Sequence, residues 1–462
     1  MRKRAKGLAV VMMMFVVMAL IVSACSSNNG ESPNSSSSNT PTNSSSTGSE
    51  EEKADPPAKT FKEFANKPVT LKVATPWGKD GFMQRIGDYV QEKQPHITLE
   101  HVDWDGTPEK MQELFAAQVV PDVLLAYTGQ KPLEDLDMVF PLEEMLEVYG
   151  FDLNTIDPAA IAEIRSRDSE GRLVGMPQEI GYIGLHYNKE LFDKFGVDYP
   201  QEDMTWDEVL DLAKKLTAER DGVKYRGLEF GVSAPLLQLS VNLTDPESGE
   251  VLLTKDSKIT KYMELMKKYY EIPGINDPEA TGSFQDKTVA MSVNWHGLLA
   301  WFGGETEEEA AEYQKQMDIV PLPSWPDLPN TSTVPVGIHP WAINNFSENK
   351  EAALQFLIES VSPEYQIGLS KSGTPSVLAD KEINKSFGSE RVRFNGKNIG
   401  AFTKNKLAEP PARSSYWDRF VQLDMKVFTE SDMNVPEFLR KVEEESQVKI
   451  KDAMAQSESK KK

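Results

Sequence analysis

Residues able to grip a small polar ring recur at the ends of strand-like runs in this sequence. Trp77 follows the alternating run Val69–Ala74, with Lys79 and Asp80 just beyond it. Tyr127 follows "PDVLLA", and Trp295 with His296 follows "AMSVN". An aromatic face packs on the apolar C–H face of a sugar, while nearby carboxylates, amides and guanidinium groups take over hydrogen bonds from water. Tryptophans also fill cores, so Trp104, Trp301 and Trp325 stay open between core, loop and cleft.

The motifs of catalysis do not occur. There is no HExxH, GxSxG, P-loop or GxGxxG. His96, His101, His186, His296 and His339 are scattered, and the single Cys25 allows neither an internal disulfide nor a CxxC metal site. No cofactor or metal is therefore expected, and no enzyme. A carbohydrate hydrolase would need two carboxylates about 5 to 10 Å apart across a cleft. Among 72 acidic residues, pairs such as Asp103 and Asp105 arise by chance, so a surface-anchored hydrolase stands only as the alternative. A net charge of −22 repels phosphate backbones, and nucleic acid is not an expected partner.

The elements that must position these side chains begin after an unusual start. Arg2, Lys3, Arg4 and Lys6 precede an apolar run from Leu8 to Val22, then Ser23 and Ala24. This reads as a signal peptide over 1–24, too short to span a bilayer. Val22-Ser23-Ala24-Cys25 resembles the lipobox of bacterial lipoproteins, which implies diacylglycerol on the Cys25 thiol and cleavage before it. Residues 25–58, rich in Ser and Asn, lack apolar groups to offset ordering entropy and read as a disordered tether.

From residue 60 strands and helices alternate. Strands are expected at Val69–Ala74, Ile97–Val102, Asp122–Ala126, Tyr182–Tyr187, Leu228–Val232, Thr288–Val293 and Ile319–Val320, with helices at 80–94 and 108–119. Such alternation makes βαβ units and a parallel sheet. Thr205-Trp206-Asp207-Glu208 is a capping box, and Trp206, Val209, Leu210, Ala213 and Leu216 then share one helical face. Val435, Phe438, Leu439 and Val442 form a similar stripe.

Several phrases occur in an order that resembles one family. They are "PDVLLAY" (121–127), "GRLVGMPQEIGYIGLHYNKELFDKFGV" (171–197), "MTWDEVLDLAKKLT" (204–217), "KTVAMSVNWHG" (287–297), "WAINNFSENKEAALQFLIESVSPEYQ" (341–366), "SGTPSV" (372–377) and "PARSSYWDRF" (411–420). The sequence resembles the bacterial extracellular solute-binding proteins of family 1, the maltose-binding-protein-like receptors of carbohydrate ABC importers. The resemblance implies an α/β, two-lobed, type II periplasmic-binding-protein-like fold. Each lobe would be a mostly parallel sheet flanked by helices, with the ligand cleft between lobes.

The implied first lobe is 60–178 plus 338–370 and the second 180–337 plus 371–455, with 456–462 a disordered tail. Crossings between lobes fall near Pro177–Gly181, Val336–His339 and Gly368–Gly373. Glu179 and Tyr182 then sit at the first crossing and Trp341 at the second. Arg413, Tyr416 and Trp417 open a segment where the family often places an aromatic platform. With Trp77, Asp80, Tyr127, Trp295 and His296 these are the candidate ligand-binding residues. Gly181 stands where the maltose-binding pattern has an acidic sugar-binding residue, with Glu179 two positions earlier, a departure from maltose-type recognition. The implied partners are a carbohydrate, ABC permease subunits and, through the lipid, the membrane, with the chain a monomer. A sugar sensor for a membrane kinase would share the fold.

Overall fold

Leu71 and Val73 are fully buried while Thr70 faces solvent, the period-2 pattern that makes Val69–Thr75 a strand with one face in the core. The computed structural model describes residues 61–460; the signal peptide, Cys25 and tether lie outside the described residues. Among the described residues ten strands follow one another: β1 (Val69–Thr75), β2 (Ile97–Asp103), β3 (Val123–Leu125), β4 (Met176–Pro177), β5 (Ile183–Asn188), β6 (Ala218–Arg220), β7 (Val223–Phe230), β8 (Val289–Trp295), β9 (Met317–Pro321) and β10 (Pro340–Ile343). They form two five-stranded sheets, β2-β1-β3-β10-β4 in an N-lobe and β6-β7-β8-β5-β9 in a C-lobe. Helices flank both, so the fold is the two-lobed α/β arrangement.

The sheets are mixed rather than mostly parallel. β1 runs parallel to β2 and β3, and β7 to β8. By contrast β10 is antiparallel to β3 and β4, and β5 to β8 and β9. The reason is connectivity: β5 and β10 each follow a passage between lobes and enter their sheet from the cleft end. The β6–β7 hairpin turns on Asp221-Gly222, both at positive φ (54° and 73°), the two-residue loop chemistry of a tight hairpin. The capping box forms as its sequence specifies, Glu208 Oε2 accepting from Thr205 N at 2.7 Å. It starts the helix Trp206–Leu216, and Trp206 is buried with its Nε1 donating to Gln238 Oε1 at 2.8 Å.

Two chain passages join the lobes side by side. Gly181 N donates to Val336 O at 2.7 Å, and the two residues form an antiparallel bridge. The third passage comes later than 368–373. Gly373 ends the helix Pro363–Ser372, but the chain then stays on the N-lobe: Asp157 N donates to Val377 O at 2.8 Å and Ala379 N to Thr155 O at 2.9 Å. Val377 and Leu378 are apolar and buried, so they complete the N-lobe before the chain leaves. Contact with the C-lobe is made by Arg393, through Glu307 and Leu299 O, and by Phe402 against His186.

Both ends of the described chain are tied down. Residues 61–66 lie along the N-lobe: Lys62 N donates to Val148 O at 3.0 Å, Phe64 stacks on Tyr149 at 4.2 Å and 9°, and Ala65 N donates to Glu351 Oε1 at 2.6 Å. The last helix, Val435–Lys460, runs through the start of the tail expected to be disordered from 456. "KDAMAQ" consists almost wholly of good helix formers and holds no Gly or Pro stop. Among the described residues no helix is long and apolar enough to cross a membrane.

The Gly181–Val336 pair generates a test. A Cβ on residue 181 would lie 2.6 Å from Val336 O, so Gly181→Ala must part the two crossings. The expected cost is about 2 kcal/mol, typical of a side chain forced into filled space. It should appear as a lower urea midpoint at unchanged slope; an unchanged midpoint refutes the constraint.

Candidate functional site

Strand direction gathers the candidates, because β1, β3 and β4 in one lobe and β7 and β8 in the other all end toward the space between them. Trp77 follows β1 and is half-buried. Its ring meets Trp341 edge-on at 5.7 Å and 86°, and the Arg85 guanidinium lies 4.9 Å over its face. Asp80 is exposed in the first turn of the helix Gly78–Phe82. Tyr127, 39 % exposed after β3, leans on His339 at 4.7 Å.

Trp341 does not face the cleft. It sits in β10, next to the centre of its sheet, fully buried between Trp77 and Phe356. The strand's inward face claims it for the core, and its role is to back Trp77.

Glu179 lies on the first crossing, between β4 and β5. The surrounding protein raises its carboxyl pKa by desolvation, and the Arg85 charge opposes that rise. Tyr182 and His296, expected as ligand contacts, are buried instead and brace the crossing. His296 N donates to Tyr182 O at 2.8 Å, and Tyr182 N donates to His296 Nδ1 at 3.3 Å. That bond needs an unprotonated Nδ1, and the ring is otherwise packed by Trp295, Phe387 and Phe402. Burial also pushes the Tyr182 phenol well above its usual range.

On the C-lobe wall Trp295 ends β8 opposite Ile183. Trp301 stacks on it at 6.2 Å and 28° and is 69 % exposed. Sequence spacing gave Trp301 no preference among core, loop and cleft, since a six-residue gap through an irregular turn has no period to read.

Arg413, Tyr416 and Trp417 are divided. Arg413 pairs with Glu247 at 2.9 Å on the C-lobe surface. Trp417, half-buried, packs into the C-lobe core rather than standing as a free platform. Tyr416 lies under Arg419 at 3.7 Å and faces Lys131 of the N-lobe at 5.7 Å. Beside it Ser414 N donates to Ser166 O at 2.6 Å and the two hydroxyls bond at 2.7 Å, so this segment touches both lobes. The structure thus sets Arg85 over Trp77 with its charge felt at Glu179, stacks Trp301 on Trp295, and leaves Tyr127 beside His339 and Tyr416 facing Lys131.

Residues 75–367 match the family described as bacterial extracellular solute-binding protein. The chain belongs to that family. Among curated relatives of this solute-binding protein, a lactose-binding protein of Rhizobium radiobacter is 21 % identical over 352 residues, covering 71 % of this chain and 79 % of the relative. An arabinooligosaccharide-binding protein of Halalkalibacterium halodurans is 24 % identical over 243 residues, covering 49 % and 50 %. A solved sugar transporter structure from Rhizobium etli, in an open conformation, superposes with a TM-score of 0.64. It is 20 % identical and covers 82 % of this chain and 99 % of its own, a likeness of fold.

The solute-binding protein's buried histidines carry a pH dependence. Burial lowers the pKa of His186 and His296 from 6.5 to about 4. The unfolded chain takes up these protons near 6.5 and the folded one only near 4. Stability from these rings is therefore whole above 6.5 and lost as pH falls through that window. Asp418 works oppositely: burial raises it to about 7, so its contribution is lost as pH rises through 7. Melting temperature should fall between pH 6.5 and 4.5, and more steeply in Asp418→Asn. A flat profile in both proteins contradicts this.

Proposed function

We propose that this protein is the extracytoplasmic receptor of a carbohydrate ABC importer, capturing an oligosaccharide between its lobes and presenting it to the permease subunits. The observation that carries this reading is the Trp295–Trp301 stack, an exposed aromatic surface at a strand end beside the Glu179 crossing. Trp301 keeps most of its surface in solvent, and an aromatic surface so exposed matches the apolar face of a pyranose or furanose ring. The lactose- and arabinooligosaccharide-binding relatives support the same class.

The mechanism is reversible capture. Solute enters the open lobes, rings stack on it and polar groups replace its hydration. Closure gains free energy only from contacts that the closed form alone makes. Hinge closure is the established mode for two-lobed binding proteins. The monomeric chain is held at the membrane by lipid on Cys25, since an acyl anchor retains a body without spanning the bilayer.

Thermal melts of the full-length chain with lactose, arabinotriose, mannotriose and maltotriose should show a rise for at least one, because ligand stabilises only the folded form. Trp295→Ala and Trp301→Ala should each weaken that sugar about tenfold, roughly 1.4 kcal/mol. Turnover of a glycoside, or binding of none of these sugars, sinks the receptor reading.

The anchor is tested separately. Cells expressing the wild-type chain should incorporate labelled palmitate into it, whereas Cys25→Ser should take up none and appear in the medium. Continued labelling of the variant rules out Cys25 as the site.

A further inference from the structure

Arg85 is a strongly charged group placed against the candidate aromatic Trp77, and the sequence did not single it out. It lies in the turn Met83–Gly87, a π-helical insertion between the α-helices Gly78–Phe82 and Asp88–Lys93. Single π turns inside α-helices gather at functional sites, since the extra residue redirects a side chain. Here the redirected side chain is exposed, with its guanidinium 4.9 Å over Trp77.

The helix Pro363–Ser372 clamps this turn beside the first crossing. Tyr365 Oη donates to Arg85 O at 2.9 Å, and the next residue, Gln366, donates through Nε2 to Gln178 O at 3.2 Å. Adjacent residues of one helix therefore fix the backbones of Arg85 and of the residue before Glu179. The two charges sense each other through space with no hydrogen bond between them. Glu179 has acceptors and Arg85 a fork of donors, and neither set is used by the other.

We propose that Arg85 and Glu179 act as a split donor–acceptor pair in the cleft that binds adjacent hydroxyls of an uncharged sugar ring. Each hydroxyl both donates and accepts, so a vicinal diol satisfies guanidinium and carboxylate together. The pair is charge-balanced. A uronate's attraction to Arg85 is offset by repulsion from Glu179, and an amino sugar's attraction to Glu179 by repulsion from Arg85, so neither charge gains over a neutral ring. Because Arg85 covers one face of Trp77, stacking falls to Trp295 and Trp301. This inference rests on the receptor reading above and narrows its ligand class.

Titration calorimetry on the full-length chain tests it, with lactose, mannotriose, maltotriose, trigalacturonate and the glucosamine trimer as probes. For whichever neutral sugar binds, Arg85→Gln and Glu179→Gln should each raise Kd tenfold or more. The double variant should lose less than the product of the two, and neither charged trimer should bind wild type more tightly than the neutral sugar. Arg85 is exposed, so its variant decides the matter even if Glu179→Gln fails to fold. A neutral sugar bound within twofold of wild type by Arg85→Gln, or a preference for either charged trimer, overturns the proposal while leaving the receptor reading intact. Failure of every probe to bind wild type overturns both.

Discussion

The backbone bond between Gly181 and Val336 is the constraint on which the rest of the molecule depends. It holds two chain passages within one peptide's reach, and the strand directions on either side follow from that. β5 and β10 leave this junction in opposite directions and enter their sheets from the cleft end, which is why both sheets are mixed. Glu179 and the Tyr182–His296 brace sit on or against the same passage. Glu179 and the hinge thus share one short stretch of chain. A ligand touching Glu179 touches the pivot directly, with no intervening element to carry the signal.

Much of this was legible in the sequence. The strand ends bearing Trp77, Tyr127 and Trp295 could be read because alternation has a period and stops abruptly. The capping box at Thr205 could be read because its two bonds join residues three apart. Residues whose role depends on another segment were not legible. Trp341 and Trp77 look alike in sequence, yet Phe356 and the sheet centre bury one while the cleft leaves the other half-open. Arg85 was hidden by a π turn that no helical period announces. The Asp-Gly turn before Val223 was a readable signal, and it moves the start of that strand five residues ahead of the expected Leu228.

The two lobes are not equivalent bodies. The C-lobe encloses its own apolar cluster around Trp206. The N-lobe cluster continues past the hinge through Phe387, Phe394 and Phe402 to Ile319 of the other lobe. Motion between lobes is therefore pivoted against a packed apolar wall on one side. On another side it meets the polar contacts of Ser166 with Ser414 and the Lys131–Tyr416 pair. Polar contacts exchange readily with water and apolar packing does not, so the contacts around Ser414 cost less to break than the apolar wall.

The strap formed by residues 61–66 has a mechanical meaning. Its bonds run to Val148, Tyr149 and Glu351, all in the N-lobe and none across the hinge. A leash fastened upstream, at Cys25 as proposed, would pull on that lobe alone. Drag or thermal jostling at the membrane would then turn the body as a whole without prying the lobes apart, leaving the pivot answerable to cargo rather than to tension.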